Sequence, residues 1–472
     1  MGKILWNRVR EYLLINEFPT RDMNFDQLLK SAFTYYQAGN LPQAEHICRE
    51  ILKVQPDNAD ICNNLGLILT RKGQPDDAIL YYKKAIRLDP TLVDAYYNLG
   101  IIFQDKMQLG EAIEYYSKAL RLDPVLIDAH YNMGIAFRDV MKINEAIACY
   151  KNAIQLDPNF TFAHFNLSLA LLLSGNFREG WEEFKWRWKI KELSQRRNFL
   201  QPQWNGANIP GKTLLLHAED GFGDTIQFVR YASLIAHHDT KVIVECQKEL
   251  TSLIQNVDGI SQVVSYGDEL PDFDFYCSLL RLPYLFRMTL ENLPARTPYI
   301  KPSPSLTEKW RKRMKNDNSK FKIGLVWSGS AREGKLRYRS CPFEFFSVLT
   351  EFDNITFYSL QKQLPENKLI NIPRDMKFVD YMKEIDNFSD TAGLIENLDL
   401  VISVDTAVAH LAGAIGKQVW TLVSFPPDWR WMLDRNDSPW YPTMKLFRQP
   451  SQGEWQVVIN NIYNEMRNNL SP

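Results

Sequence analysis

In the first part of the chain, apolar positions recur at helical spacing, and the pattern itself repeats. Pro56, Pro90, Pro124 and Pro158 fall every 34 residues, as do Gly66, Gly100, Gly134 and Ser168, and a third ladder runs Ala44, Ala78, Ala112, Ala146 and Gly180. The phrases KKAIRLDP, SKALRLDP and KNAIQLDP each lead into a new amphipathic stretch, as in DAYYNLG and DAHYNMG. A fixed period of this length predicts stacked helix pairs, one pair per repeat. Small residues mark close helix crossings, Tyr82, Tyr116 and Tyr150 fill the space between neighbours, and each proline stands where one helix must stop. After Arg197 the period vanishes and short apolar runs alternate with helical patterns, the mark of an α/β sheet. Strands are expected at 213–219, 241–246 and around Val263 and Val264 in one half, and at 322–329, 355–360, 398–405 and 418–423 in the other. The proline-broken segment PYIKPSPSLTEKWRKRM separates the halves. Two doubly wound domains with a cleft between them follow, with ligands expected beyond the carboxyl ends of the strands.

Period, small-residue ladder and repeated phrase together resemble the tetratricopeptide repeat family. The expected organisation is a capping helix over 1–23, an α-solenoid of repeats over 24–195, a first Rossmann-like domain over 205–300 and a second over 320–472. The last repeat ends in FREGWEEFKWRWK, whose Trp181, Trp186 and Trp188 are too apolar for a free solenoid end and are expected to dock onto the next domain. Solenoids of this kind present a surface to a protein or peptide. The stripe Asn64, Asn98, Asn132 and Asn166, with Asn63 beside it, is either an amide ladder that clamps extended peptide backbone or a set of capping and solvated groups.

Composition narrows the function classes. With 472 residues, 45% apolar and 24% charged, the chain reads as folded and globular. A net charge of −1 gives no field for DNA or an anionic membrane, so no nucleic-acid partner is expected. No run approaches the roughly 20 apolar residues of a membrane span, and MGKILWNRVR lacks an apolar signal core. Six scattered cysteines without C-x-x-C spacing fit a reducing cytoplasm, where the protein is expected to reside, and argue against a zinc site.

Two strings imitate known sites. Gly206 to Thr213 matches the phosphate-loop pattern but precedes a strand instead of following one, and Pro210 removes an amide donor. Asp272-Phe-Asp274 imitates a metal-binding D-x-D but reads as a surface turn. Three loops remain. AEDGFGDTIQFVRY carries Gly221, Gly223 and Asp224 at a strand-to-helix turn, with the carboxylate either functional or an N-cap. VWSGSAREGKLRYRSCP places Ser328, Gly329, Ser330, Lys335, Arg337, Arg339 and Ser340 just past a strand, a set suited to a diphosphate or, more plainly, a solvated basic loop. SVDTAVAHLAGAIG ends a strand at Asp405, offers Thr406 as helix cap, and puts His410 on the same helical face.

At these loops the sequence resembles the bacterial heptosyltransferases of glycosyltransferase family nine, which have the two-domain GT-B fold. SVDTAVAHLAGAI is similar to that family's S-x-D-T-G-x-x-H-L-x-A-A, AEDGFGDTIQ to its G-D-x-[IV] loop and RSCP to its K-x-W-P, with Ala407, Cys341 and Arg339 replacing Gly, Trp and Lys. Nearer still is a group of bacterial tetratricopeptide proteins whose carboxyl half carries GDTIQFVRY, DTAVAHLAGA and DWRWML with SPWYP. The layout is also similar to the protein O-linked N-acetylglucosamine transferases. The resemblance implies a GT-B-like pair of doubly wound domains. It implies Asp224 as catalytic base with His410, and Gly221, Gly223, Ser328, Gly329, Ser330, Arg339, Ser340, Asp405 and Thr406 around the donor. The implied activity is metal-independent glycosyl transfer with a nucleotide diphosphate sugar as co-substrate and no other cofactor, to a protein or peptide acceptor recruited by the repeats. The alternatives are a non-catalytic interaction protein with a degenerate GT-B half, and an enzyme that isomerises the nucleotide sugar.

Overall fold

The computed structural model describes residues 23–190, 199–219, 221–236, 239–329, 339–362 and 371–470. Residues 1–22 of the expected cap, together with Asp220, Ser330, Lys335 and Arg337, lie outside the described residues. The chain forms two compact units, one reaching to Leu167 and one beginning at Ser168.

The first unit consists of α1 (Met23–Gln37), α2 (Leu41–Val54), α3 (Ala59–Arg71), α4 (Pro75–Leu88), α5 (Val93–Asp105), α6 (Leu109–Leu122), α7 (Ile127–Asp139), α8 (Ile143–Leu156) and the start of α9 (Thr161–Leu173). Helices α1 to α8 pack each against the next, and a continuous apolar core runs from α1 to α7. The ladders have a steric cause. A Cβ on Gly66, Gly100 or Gly134 would sit 2.7, 2.4 or 2.6 Å from the ring of Tyr82, Tyr116 or Tyr150, so each glycine makes room for the tyrosine sixteen residues on. The LDP phrase ends one helix and sets up the next. The Asp89, Asp123 and Asp157 carboxylates accept from the backbone N–H groups of Thr91, Val125 and Asn159, while the intervening proline has no N–H to satisfy.

The second unit opens with the end of α9, then α10 (Phe177–Phe184) and a 3₁₀ turn (Lys185–Lys189). Two sheets follow, with every strand pair in them parallel. The first contains β1 (Thr213–His217), β2 (Lys241–Cys246), β3 (Ile260–Ser265) and β4 (Phe275–Ser278) in the order β3-β2-β1-β4. The second contains β5 (Phe321–Val326), β6 (Ile355–Ser359), β7 (Phe378–Asp380), β8 (Leu400–Val404), β9 (Val419–Val423) and β10 (Met444–Arg448) in the order β10-β9-β8-β5-β6-β7. In both, the chain starts in the middle, winds one way, then crosses back, so the order reverses beside β1 and beside β5. Such switch points open crevices at the carboxyl ends of strands. Every residue of β6, β8 and β9 is buried, which explains why these strands are mostly apolar and carry no charge.

The tryptophan-rich end of the last repeat belongs to this unit. Trp181 is 2% exposed and meets the rings of Phe184, Phe228 and Trp429 nearly at right angles, with centroids 5.3 to 6.3 Å apart. Phe177 lies edge-on to Trp440, and Trp188 lies edge-on to His217. Trp186 stays half-buried under the Lys189 ammonium. Among the described residues no helix is long and apolar enough to cross a membrane.

The glycine–tyrosine crossings generate a stability prediction. Gly100→Ala forces a methyl group into the Tyr116 ring and should cost about 1–3 kcal/mol. Gly110→Ala, which meets nothing within 4 Å, should be neutral or slightly stabilising. Thermal unfolding of the full chain followed by helical circular dichroism checks both, and equal melting temperatures for the two variants would contradict the steric account.

Candidate active site

The segments following β1, β5, β8 and β9 meet at the carboxyl ends of the two sheets. Beyond β1, Gly221 caps the helix Phe222–Phe228, which brings Asp224 into its first turn; the carboxylate is therefore not an N-cap. The segment after β5 returns through Arg339, β8 ends beside Asp405, and the segment after β9 carries Asp428 and Arg430 across a 3₁₀ turn, Trp429–Trp431. These five charged side chains form one line. The Arg430 guanidinium donates through Nη2 to Asp224 Oδ1 and through Nη1 to Asp428 Oδ1 at 2.9 Å. Arg339 donates through Nη2 to Asp428 Oδ2 at 3.1 Å, and its Nη1 lies 3.3 Å from Asp405 Oδ2. Arg430 Nε also donates to Gln227 Oε1 at 2.7 Å. The line crosses from one sheet to the other at Asp224–Arg430. The Phe222–Phe388 ring contact and a 2.8 Å Ser252–Ser389 hydroxyl bond join the same two halves.

The glycines serve the protein's own packing. A Cβ on Gly223 would lie 2.9 Å from His410 Cδ2, and one on Gly221 would lie 2.7 Å from Asp224 Oδ2, so these residues admit His410 and Asp224. Thr406 stands at the cap position of the helix Ala407–Ala414, but its side chain makes no cap bond: its Oγ1 pairs with Ser403 Oγ at 3.0 Å, which corrects the expected hydroxyl cap. Ser328 is tied locally, its N–H donating to Gln361 Oε1 at 2.9 Å and its hydroxyl pairing with Ser340 Oγ at 3.0 Å, whereas Gly329 has open space where a side chain would stand. Glu219, a carboxylate just past β1, is occupied by Arg187 from the end of the last repeat (Nη2 to Oε1, 2.8 Å) and by the Ser278 hydroxyl. Asp274 braces β1 by accepting from Thr213 N and Lys212 Nζ.

Charge and burial set the protonation states. Burial, followed by the field of Arg430, lowers the His410 pKa to about 3. Its ring is therefore neutral at physiological pH, stacked on Trp431 at 5.4 Å with Nδ1 2.9 Å from the Tyr441 hydroxyl. The neutral ring carries no positive charge toward an anion; the guanidiniums of Arg339 and Arg430 do. Burial raises the Asp224 carboxyl above its ordinary value, with Arg430 opposing. Asp428, despite its burial, is held down to about 2 by Arg430 and Arg339. Asp428, Arg430 and Gln227 were not singled out as site residues in the sequence. The available signal was D-x-R inside DWRWML, where the tryptophans drew attention; Trp429 and Trp431 prove to be buried core.

The asparagine stripe of the first unit bonds from repeat to repeat. Asn98 Nδ2 donates to Asn63 Oδ1 at 3.2 Å, and Asn132 and Asn166 donate to the Tyr97 and Tyr131 hydroxyls at 3.0 Å each. Asn64, Asn98 and Asn132 are buried. Several of these amide hydrogens are thus spent inside the solenoid.

The opposite shifts of Asp224 and Asp428 predict opposite mutational signs. Asp428, lowered from 3.8 to about 2, contributes stability that is present above the unfolded value and lost as pH falls through the folded one, on the order of 2–3 kcal/mol. Asp224, raised, favours folding only when protonated, a contribution lost as pH rises through its folded value. At pH 7 Asp428→Asn should lower the melting temperature, whereas Asp224→Asn should leave it unchanged or raise it. Equal destabilisation by both changes in a thermal-shift measurement would contradict this reading.

The matching family models lie within the first unit, whereas one curated relative matches beyond it. The family models described as "TPR repeat" and "Tetratricopeptide repeat" match residues 66–106, and residues 93–124 and 127–160, respectively. The chain is 23% identical over 321 residues to Protein FlbA of Caulobacter vibrioides, covering 63% of this chain and 53% of that one, so it spans about half the length of the curated relative it matches. Among solved structures it is similar to MamA, at 28% identity over 34% of this chain and 94% of that one with a TM-score of 0.32. It is also similar to pilF of Pseudomonas aeruginosa, at 21% identity over 35% and 77% with a TM-score of 0.33. The chain carries tetratricopeptide repeats, a protein-interaction module, followed by parallel-stranded α/β sheets.

Proposed function

We propose that the second unit is a GT-B-like glycosyltransferase that binds a nucleotide diphosphate sugar between its sheets, while the repeats recruit a protein or peptide acceptor. The observation that carries the reading is the convergence of Asp224 from one sheet with Arg339, Asp405, Asp428 and Arg430 from the other, all beyond strand carboxyl ends beside the two switch points. A diphosphate suits paired guanidiniums, which bind phosphate oxygens bidentately and need no metal to offset charge. The amino terminus of the helix Ala407–Ala414 adds unpaired N–H groups on the same side. Transfer to a hydroxyl then requires a base: Asp224 takes the acceptor's proton as its oxygen bonds to the sugar carbon and the carbon–oxygen bond to the diphosphate breaks. Arg339 and Arg430 stabilise the charge that gathers on the departing diphosphate. Glu219 is the weaker candidate base because Arg187 and Ser278 already engage it.

One observation favours the second reading, an interaction protein whose α/β half does no chemistry. Asp224 and Arg339 both have ion partners already, so the guanidiniums of the line are engaged within the protein. Activity separates the two readings. Purified protein incubated with a panel of nucleotide sugars should hydrolyse or transfer one of them, with activity unchanged by EDTA. Asp224→Asn should cut turnover by about 10²–10⁴, the scale of a lost general base, without weakening donor binding. Arg339→Ala should weaken donor binding as well as turnover, because the diphosphate is charged in both ground and transition states. Near-normal turnover in folded Asp224→Asn would remove Asp224 from the role, and absence of turnover with every donor would favour the interaction protein.

A further inference from the structure

The position of Arg430 raises a conflict within the proposed chemistry. A carboxylate that accepts a proton must be available, yet Asp224 is held by a guanidinium from the opposite sheet. Three carboxylates (Asp224, Asp405 and Asp428) share two guanidiniums (Arg339 and Arg430), so the line is one negative charge in excess when all are ionised. An anion cannot join it unless one carboxylate gives way. The contacts of Arg430 differ in how firmly they are built. Asp428 lies two residues away on the same turn, accepts from both the Arg430 backbone N–H and its Nη1, and also binds Arg339. Asp224 reaches in from the other sheet, makes its contact through one oxygen, and keeps 28% of its side chain exposed, against 13% for Arg430. Gln227 holds Nε through a neutral carbonyl oxygen, while its own amide nitrogen is buried without a hydrogen-bond partner among the described residues, a further donor beside the same point. Asp224 is therefore the partner that yields.

We propose that Arg430 is a donor-binding residue that exchanges partners: without donor it pairs with Asp224 across the sheets, and the diphosphate of a nucleotide sugar takes the place of Asp224. The exchange rests on the glycosyltransferase reading and adds an order to it. Donor binding turns the Arg430 guanidinium onto the phosphate oxygens, where Arg339, bound to the other oxygen of Asp428, stands beside it. Asp224 is released as a free carboxylate and then takes the proton of the acceptor hydroxyl. The acceptor oxygen bonds to the sugar carbon, and the electron pair of the broken carbon–oxygen bond leaves with the nucleoside diphosphate. Before donor arrives, the base is masked by Arg430.

The exchange makes Asp224 a competitor of the diphosphate, a relation that a simple structural ion pair does not create. Isothermal titration of the full chain with UDP, GDP, ADP and inorganic pyrophosphate tests it on wild type, Asp224→Asn, Arg430→Met and Arg430→Lys. Asp224→Asn should tighten binding of the preferred diphosphate by about three- to tenfold, and Arg430→Met should weaken it tenfold or more, with Arg430→Lys between wild type and Met. Should Arg430→Met fail to fold, Asp224→Asn, which keeps an oxygen facing the guanidinium, decides alone. Equal affinity in wild type and Asp224→Asn overturns the exchange while leaving the nucleotide reading standing. Absence of binding by every diphosphate to every folded variant, Asp224→Asn included, overturns both.

Discussion

The architecture of the second unit converges on one line of alternating charge: Asp224, Arg430, Asp428, Arg339 and Asp405. Buried ions are tolerated only when paired and hydrogen-bonded, so the segments that carry these five residues must reach the same place. That requirement fixes the helix Phe222–Phe228 against the helix Ala407–Ala414. It makes glycine the residue that fits at 223, where a side chain would strike His410. It also holds His410 neutral, because neighbouring guanidiniums add to the effect of burial. The aromatic wall of Trp429, Trp431 and Trp440 supports the segment from behind, and the Arg448 guanidinium secures it by donating to the carbonyls of Trp431, Met432 and Arg435.

The end of the repeats is part of this support. Trp181 fills the space against Trp429 and Phe228, and Arg187 donates to Glu219 just past β1. Residues written in the 34-residue code of the solenoid thus brace both the turn that presents Arg430 and the turn that precedes Asp224. The helix α10 and the turn after it thus share the core of the second unit with the α/β sheets.

Repetition and strand periodicity made most of the fold legible in the sequence. A 34-residue ladder is hard to produce by anything but stacked helix pairs, and the tyrosine under each glycine shows why the ladder is kept. The strands read from apolar runs, β1, β2, β3, β5, β6, β8 and β9, all form. The three without a marked run, β4, β7 and β10, lie at sheet edges, where one neighbour suffices and β7 needs only three residues. The site was legible only in part, for a physical reason. Asp224, Arg339 and Asp405 stand beside glycines or strand ends that advertise them, but pairing depends on tertiary approach: Arg430 lies 206 residues from Asp224. Sequence spacing carries no information about that contact; Thr406 departs from a hydroxyl cap for a local reason, its Oγ1 pairing with Ser403 three residues earlier.

The charged line between the sheets is the proposed seat of a diphosphate. A crystal structure of the full chain with a bound nucleotide diphosphate sugar tests it most directly. The diphosphate should lie against Arg339, Arg430 and the amino terminus of the helix Ala407–Ala414, with Asp224 parted from Arg430 and facing the sugar. A nucleotide bound elsewhere, or one bound in the cleft with Arg430 still on Asp224, would contradict it.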